Sequence, residues 1–125
     1  MSRPKKRPAS VILALTRRAL ADLREIERYS VKEWGRKAAD QYLDEIEAAL
    51  NRLRENPTIL QMEPEFSPGL WFYRVQKHVL ACDLNKNQIL VLTVLHTSMD
   101  LPARLQELEP RLMAEAAWLR EKLRS

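Results

Sequence analysis

The chain has 125 residues, a length typical of one domain, and 46% of them are hydrophobic and 30% charged. This composition excludes a wholly disordered chain, and the longest apolar runs, 11–15 and 89–95, are far shorter than the ~20 residues of a membrane-spanning helix. The single cysteine, Cys82, excludes an intramolecular disulfide and is typical of a protein in the reducing cytoplasm.

The formal net charge of +4 comes from the N-terminus, where Arg3, Lys5, Lys6 and Arg7 occur without an acidic residue. Without them, 17 basic and 17 acidic residues remain. Because phosphate neutralisation needs a basic excess, we expect no direct sequence-specific binding of nucleic acid by the domain. Residues 1–8 contain two prolines and are predicted to form a flexible basic tail, either a solubilising terminus or an electrostatic arm for DNA or RNA.

A strand and a helix are predicted first. Residues 10–15 are apolar and β-branched, which indicates a buried strand, and Thr16 is placed to cap the following helix. Gly35 ends that helix. Its predicted apolar stripe consists of Leu20, Leu23, Ile26, Ser30 and Trp34.

A second helix follows after a very short connection and ends at Asn56-Pro57. The short connection predicts that the two helices form an antiparallel hairpin. Apolar residues recur at spacings of three and four along the second helix: Ala39, Tyr42, Ile46, Ala49, Leu50 and Leu53.

The pattern then changes to strands. Residues 57–68 have no sustained periodicity and are predicted to be a loop, whereas 69–75, 79–84 and 89–96 have strand length and β-forming composition. Short polar connections predict an antiparallel β-meander. The last strand is apolar on both faces, which indicates an interior strand covered on both sides.

The C-terminal segment is predicted to be helical. Asp100 and Pro102 mark a helix start, and Pro110 is predicted to interrupt the helix. The fold class is therefore α+β, with the helical hairpin packed on the meander. We predict a main domain at 9–105 and an amphipathic helical extension at 106–125, which packs on its own domain, mediates self-association or receives a partner.

The sequence offers little catalytic chemistry. It has two histidines and two glycines, too few for a zinc site or a phosphate-binding loop, so we predict no metal site and no cofactor. The acidic pairs on the helices are typical of solvated faces. Cys82 lies within a predicted strand and is typical of a buried, inert thiol.

The candidate binding residues lie on the meander. Strand alternation predicts Trp71 and Tyr73 on one face, either in the core or in a site, and Arg74 on the other. The arginine needs a partner or solvent, and His96 suits either a sheet rim or a binding surface. The complete set of candidates is Trp71, Tyr73, Arg74, Lys77, His78 and His96.

Several strings in this order resemble toxins of the ParE/RelE superfamily, over about residues 11–105. The helical strings and the final LH…D resemble the ParE branch more than the RelE branch. The strings are ALADLREI at 19–26, EWG at 33–35, ADQYL at 39–43, NP at 56–57, PGL at 68–70, KHV at 77–79 and LTVLHTSMDL at 92–101.

This resemblance implies the toxin of a type II toxin–antitoxin module that acts by binding and poisoning DNA gyrase rather than by catalysis of its own. The meander candidates would contact the target. A cognate antitoxin would bind the exposed sheet edge and the helical hairpin and would assemble the toxin into oligomers. The candidate antitoxin contacts on the hairpin are Leu20, Leu23, Tyr42 and Ile46.

Two alternatives remain at this point. A RelE-like ribosome-dependent mRNA endonuclease is one, although Val79, Ser98 and about Arg104 stand where that branch carries two arginines and a tyrosine. A non-toxic binding protein with the same fold is the other. Trp71 replaces an arginine usual in the ParE branch, Ala81-Cys82 replace an aromatic pair, and Ser98-Met99 replace a basic pair, so target binding itself could differ from that of the family.

Overall fold

The computed structural model describes residues 11–124, in which two helices, a sheet and a long third helix follow one another. The predicted α+β class, the helical hairpin, the meander and the C-terminal helix are confirmed. The predicted tail at 1–8 lies outside the described residues. The elements are β1 (Ile12–Leu15), α1 (Arg17–Trp34), α2 (Arg36–Glu55), β2 (Gln61–Met62), β3 (Trp71–Val75), β4 (His78–Asn85), β5 (Gln88–His96) and α3 (Leu101–Arg124).

Within the described residues the strands form one mixed sheet in the order β1-β5-β4-β3-β2. The antiparallel meander β3-β4-β5 has the predicted connectivity, and β1 pairs in parallel with β5, where Leu13 lies opposite Ile89. Two expectations were wrong. The loop at 57–68 contains the short strand β2, and β1 is partly exposed because it is the edge strand of the sheet formed by residues 11–124.

Each face of the sheet packs on a different helical element. The hairpin of α1 and α2 buries one apolar cluster, which includes Ile46, Leu53 and Val91, and α3 buries the other, which includes Phe72 and Leu105. Residues 89–95 of β5 are all buried between these layers. The predicted interior position of this strand is confirmed.

A β-bulge in β5 binds α1 to the sheet. Ala81 pairs with Thr93 and Cys82 with Val91, so Leu92 is the extra residue. Thr16 donates its hydroxyl to the Leu92 carbonyl at 2.9 Å and accepts the Ala19 N–H at 3.1 Å, which confirms its predicted capping role.

The same bulge has a second partner on α1. One carboxylate oxygen of Asp22 accepts the Val94 N–H at 3.0 Å and the Thr93 hydroxyl at 2.5 Å. These contacts satisfy polar groups in a largely buried layer, where an unpaired group would be costly. The bulge therefore fixes the position of α1 on β5.

The predicted stripe of α1 is only partly buried. Ala19 and Ser30 are buried, and Leu23 and Ile26 pack partly against the core. Leu20 and Trp34 of the predicted stripe are 43% and 52% exposed, so the stripe is not buried at these two positions.

α3 is one helix, and the predicted interruption at Pro110 is wrong. Proline removes the hydrogen bond that the Gln106 carbonyl would receive, but both residues are exposed, so that carbonyl can bind water instead. Leu108 and Leu112, on either side of the proline, are buried on the sheet. Their burial stabilises the helix across the missing hydrogen bond.

Candidate functional site

A groove of about 500 Å³ lies between α1, Tyr42 of α2 and the β3–β4 turn, and we call it the histidine groove. Tyr29 and Trp34 form one wall, with an edge-to-face ring separation of 5.9 Å, and both rings are more than half exposed. The lining residues are Glu25, Ile26, Tyr29, Ser30, Trp34, Tyr42, Gln76, Lys77, His78 and His96.

The Tyr42 hydroxyl is the centre of the polar contacts in this groove. Its oxygen lies 2.6 Å from Nδ1 of His78 and accepts the backbone N–H of Lys77 at 3.3 Å. The hydroxyl also lies 3.4 Å from the Val75 carbonyl. The phenol therefore connects α2 to both ends of the β3–β4 turn.

The electrostatics of the groove favour neutral side chains. Burial and the neighbouring His96 lower the pKa of His78 from 6.5 to about 4, so its imidazole is neutral at pH 7. Burial also raises the pKa of Tyr42, with the Lys77 N–H opposing and Glu45 reinforcing the shift. A protonated phenol can donate to the unprotonated Nδ1 of His78, which accounts for their short contact.

His96 lies opposite His78 across the β4–β5 pairing, with the ring centroids 5.0 Å apart in an edge-to-face arrangement. Nδ1 of His96 accepts the backbone N–H of Ser98 at 3.0 Å. Each histidine therefore has its Nδ1 engaged by a fixed donor, and the two rings form the floor of the groove as one packed unit.

The β3–β4 turn positions the cationic residues. Gln76 has a φ of 56°, a left-handed conformation that suits a two-residue hairpin turn, and its amide donates to Glu45 of α2 at 2.8 Å. Nε of Arg74 donates to the Gln76 carbonyl at 2.9 Å. Arg74 and Lys77 therefore both lie at this turn.

Arg74 lies on the sheet face opposite Trp71 and Tyr73, as strand alternation predicts. It lines a second groove of about 620 Å³, the arginine groove, whose apolar wall includes Phe72 and Val79. Among the described residues that line this groove, Arg74 is the single cation, and Glu63 and Asp100 supply carboxylates. No basic side chain from another segment within residues 11–124 lines this groove, although Arg74 and Arg52 of α2 both line a smaller cavity of about 300 Å³ together with Glu45.

Trp71 and Tyr73 pack from β3 against the hairpin-side core, and both are half-buried. The Tyr73 hydroxyl accepts Nε of Arg52 at 3.2 Å, and the guanidinium lies 5.9 Å from the Tyr73 ring centroid. The structure therefore brings Lys77, His78 and His96 together at the histidine groove. Arg74 lies at the same turn and lines the arginine groove with Tyr73, whereas Trp71 lies further along the strand and lines neither groove.

The four predicted antitoxin contacts have different environments. Tyr42 lines the histidine groove, Leu20 is exposed and Leu23 is half-buried. Ile46 is 2% exposed, and its side chain packs between α2 and the sheet. Its predicted contact with a partner is corrected: the helical stripe that identified it marks the core face of α2, so it presents no surface.

Three residues with a role in these surfaces were not among the predicted site residues: Tyr29, Trp34 and Arg52. The spacing of Trp34 continues the α1 stripe, but spacing alone does not show that this end of the stripe lines a groove. The position of Trp34 directly before Gly35, in the last helical turn, is the sequence signal that could have indicated exposure.

Residues 11–124 contain no cluster of three or more histidine, cysteine or carboxylate side chains that could hold a metal ion. Over the same residues, no helix is long and apolar enough to cross a membrane.

Comparison with known sequences identifies a family. Residues 13–101 match the family model described as ParE toxin of type II toxin-antitoxin system, parDE. Toxin ParE of Escherichia coli is 34% identical over 94 residues, which cover 74% of this chain and 91% of that protein. Toxin ParE1 of Caulobacter vibrioides is 32% identical over 91 residues, with coverages of 73% and 94%.

A solved structure has the same fold. The chain from the chromosomal ParDE TA system of P. aeruginosa superposes with a TM-score of 0.63 at 20% sequence identity, and the match covers 71% of this chain and 98% of that one. The family model ends at residue 101, where α3 begins. Nearly all of α3 therefore lies outside the region that defines the family.

Proposed function

The chain belongs to the ParE family of toxins of type II toxin–antitoxin systems, and we propose that it binds and poisons DNA gyrase in the cytoplasm until a cognate antitoxin neutralises it. The family membership implies the antitoxin. The gyrase target is inferred from the resemblance of the sequence to the ParE branch.

The histidine groove is the observation that best supports action by protein binding. Its walls are aromatic and partly exposed, which is typical of surfaces that receive apolar side chains of a partner. The Nδ1 atoms of His78 and His96 are already engaged, by Tyr42 and by Ser98 respectively. This arrangement favours a preformed docking surface over a site with a free base beside a cation.

The proposed target surface surrounds the β3–β4 turn. Lys77, His78 and His96 contribute from the histidine groove, and Arg74 contributes from the other side of the turn. Trp71 and Tyr73 extend the proposed surface along β3. Tyr42, Leu20 and Leu23 remain the proposed antitoxin contacts on the hairpin, together with the exposed sheet edge.

The charge of the arginine groove weighs against the alternative of mRNA cleavage. Stabilising a cleaved phosphodiester requires convergent cationic groups. The groove combines Arg74 with Glu63 and Asp100, and Val79 is buried in its wall. Arg104 pairs instead with Glu107 on α3 at 2.9 Å.

A plasmid supercoiling assay with purified gyrase and the folded protein tests the proposal. We expect loss of supercoiling with accumulation of linear DNA, the sign of a trapped cleavage complex. The double variant Tyr29→Ala/Trp34→Ala removes both aromatic side chains of the groove wall and tests whether the loss of supercoiling depends on them. Met113→Ala on α3 removes another exposed apolar side chain and is the matched control. Normal supercoiling at a large molar excess of wild-type protein would contradict the gyrase target.

A further inference from the structure

An exposed surface joins α1, next to the proposed antitoxin contact Leu20, to the distal half of α3, which has no role in the function proposed above. The Trp118 ring is 46% exposed and lies between two cations: the Arg17 guanidinium at 4.2 Å and the Lys122 amino group at 5.3 Å from its centroid. Leu20, one turn along α1 from Arg17, is also exposed. We call these four residues the tryptophan patch.

The patch is held in place by buried contacts beneath it. Leu112 and Ala116 of α3 are in the sheet core, and Arg120 pairs with Asp83 of β4. The Glu115 carboxylate accepts the backbone N–H of Arg18 at 3.4 Å, at the first turn of α1. The two helices therefore present Trp118 and Arg17 in a fixed arrangement, which lowers the entropy cost of binding.

The charge of the patch is not neutralised within residues 11–124. The first turn of α1 carries Arg17 and Arg18 and no acidic residue of its own, and the carboxylate that meets it, Glu115 of α3, accepts the backbone N–H of Arg18. Over this part of the chain neither Arg17 nor Lys122 forms an ion pair with a carboxylate. A partner carboxylate would relieve this imbalance.

We propose that the tryptophan patch binds an acidic, amphipathic segment of the antitoxin. The inference rests on the proposed function for the identity of the partner. Carboxylates of the segment pair with Arg17 and Lys122, and an apolar side chain packs on Trp118 and Leu20. Trp118 and Lys122 lie beyond the residues that match the family model. A contact with them would therefore make this toxin bind its own antitoxin in preference to the antitoxins of shorter relatives.

The surface favours an acidic protein over a nucleic acid. Trp118 and Leu20 provide apolar area, and the two free cations are too few to follow a phosphate backbone. Exposed tryptophan and arginine side chains are also the types that dominate protein–protein binding energy. Binding of a single-stranded oligonucleotide at the patch is therefore an outcome that would overturn the proposal.

NMR titration of the indole N–H signals tests this inference directly. The probe is an acetylated 14-residue peptide with leucines on one helical face and glutamates on the other; the comparison probes are its glutamine counterpart and the oligonucleotide dT12. We expect the Trp118 signal to shift to saturation with the acidic peptide only. The signal of Trp34, which is 52% exposed and lies at the histidine groove, serves as the internal control.

The double variant Arg17→Gln/Lys122→Gln keeps the long polar side chains and removes both charges. We expect it to weaken binding of the acidic peptide about tenfold, as two exposed charge pairs would. Unfolding in urea should be unchanged, which separates lost charge from lost structure. An unmoved Trp118 signal with the acidic peptide, or equal shifts with the glutamine peptide, would overturn the proposal.

Growth measurements distinguish failure of this inference from failure of the proposed function. Expressed alone, the double variant should inhibit growth as the wild type does, because Arg17 and Lys122 line neither of the grooves at the β3–β4 turn. A wild type that leaves growth unaffected would contradict the toxin activity. If the wild type inhibits growth but its Trp118 signal does not shift with the acidic peptide, only the proposal for the tryptophan patch is contradicted.

Discussion

The two faces of the sheet are held by different physical means. On the hairpin face, Asp22 and Thr16 of α1 bind the bulge of β5, and Tyr42 of α2 binds His78. On the α3 face the core is apolar, and the ion pair Arg120–Asp83 lies at its margin. Both faces therefore bury an apolar cluster, but within residues 11–124 only the hairpin face adds directional polar contacts from its helices to the interior of the sheet.

This difference means that the polar contacts of the hairpin face determine where its side chains lie, whereas the apolar contacts of the α3 face mainly contribute to the stability of the fold. Hydrogen bonds fix the distances and angles of the groups they join, whereas apolar burial is non-directional. The histidine groove lies at the end of the hairpin face, where the side chains are held by such contacts. The α3 face contributes stability without determining the geometry of that groove.

The largest expected effect is on the α3 face. Leu112→Ala should lower the free energy of unfolding by about 2–5 kcal/mol, because it removes a fully buried side chain and leaves a cavity. Urea unfolding measures the loss, with the adjacent exposed Met113→Ala as the control. A loss equal to that of the control would mean that α3 contributes little to the core.

The next effect is on the polar contacts of the hairpin face. Asp22→Ala should cost about 1–3 kcal/mol, because the Val94 N–H and the Thr93 hydroxyl lose their acceptor. Asp22→Asn should cost less, since its amide oxygen can still accept. Equal losses in both variants, again by urea unfolding, would show that the charge rather than the hydrogen bond matters.

The histidine groove predicts a smaller, pH-dependent effect. The folded protein holds the pKa of His78 near 4, below the ordinary 6.5, so only the unfolded chain takes up this proton as the pH falls from about 6.5 to 4. Stability is therefore lost over this range. The full shift corresponds to ~3 kcal/mol, and because the ring is partly exposed we expect about 1–2 kcal/mol.

Unfolding of the wild type and of His78→Gln at pH 7 and pH 4.5 measures this contribution. Because His96 interacts with His78, the difference between the two proteins reports the contribution of this histidine pair. The variant should lose less stability on acidification than the wild type does. Parallel pH profiles would contradict a neutral, buried His78.

The smallest effect concerns the edge of the hairpin face. Arg52→Ala should change stability by less than about 1 kcal/mol, because its hydrogen bond to the Tyr73 hydroxyl is exposed. Tyr73→Phe removes the same hydrogen bond and keeps the ring. Thermal unfolding of both variants shows whether the ring or the hydroxyl matters, and a larger loss for Tyr73→Phe would mean that the hydroxyl has another partner.

The elements that sequence periodicity predicts well are those with one uninterrupted period. The α2 stripe identified a face that packs on one layer, and the apolar run of β5 identified a strand that packs between two layers. Pro110 was misjudged because local propensity ignores the packing of Leu108 and Leu112 on either side. Tertiary burial outweighed the missing hydrogen bond.

The candidate site was harder to predict because it depends on contacts between distant segments. His78 and His96 are 18 residues apart in sequence, and only the β4–β5 register places them together. Tyr42 and Ile46 are one helical turn apart on α2, yet one lines a groove and the other is core. Periodicity identifies the apolar side of a helix. It does not show which residues on that side lie beyond the edge of the sheet and so remain accessible.

The central claim is that the surface around the β3–β4 turn carries the toxin activity. Arg74→Glu/Lys77→Glu reverses two exposed charges at this turn and should leave urea unfolding within about 0.5 kcal/mol of the wild type. Growth after induced expression of this variant, at matched protein levels, tests the claim most directly. The account predicts that growth inhibition is abolished, and a killing curve equal to that of the wild type would contradict it.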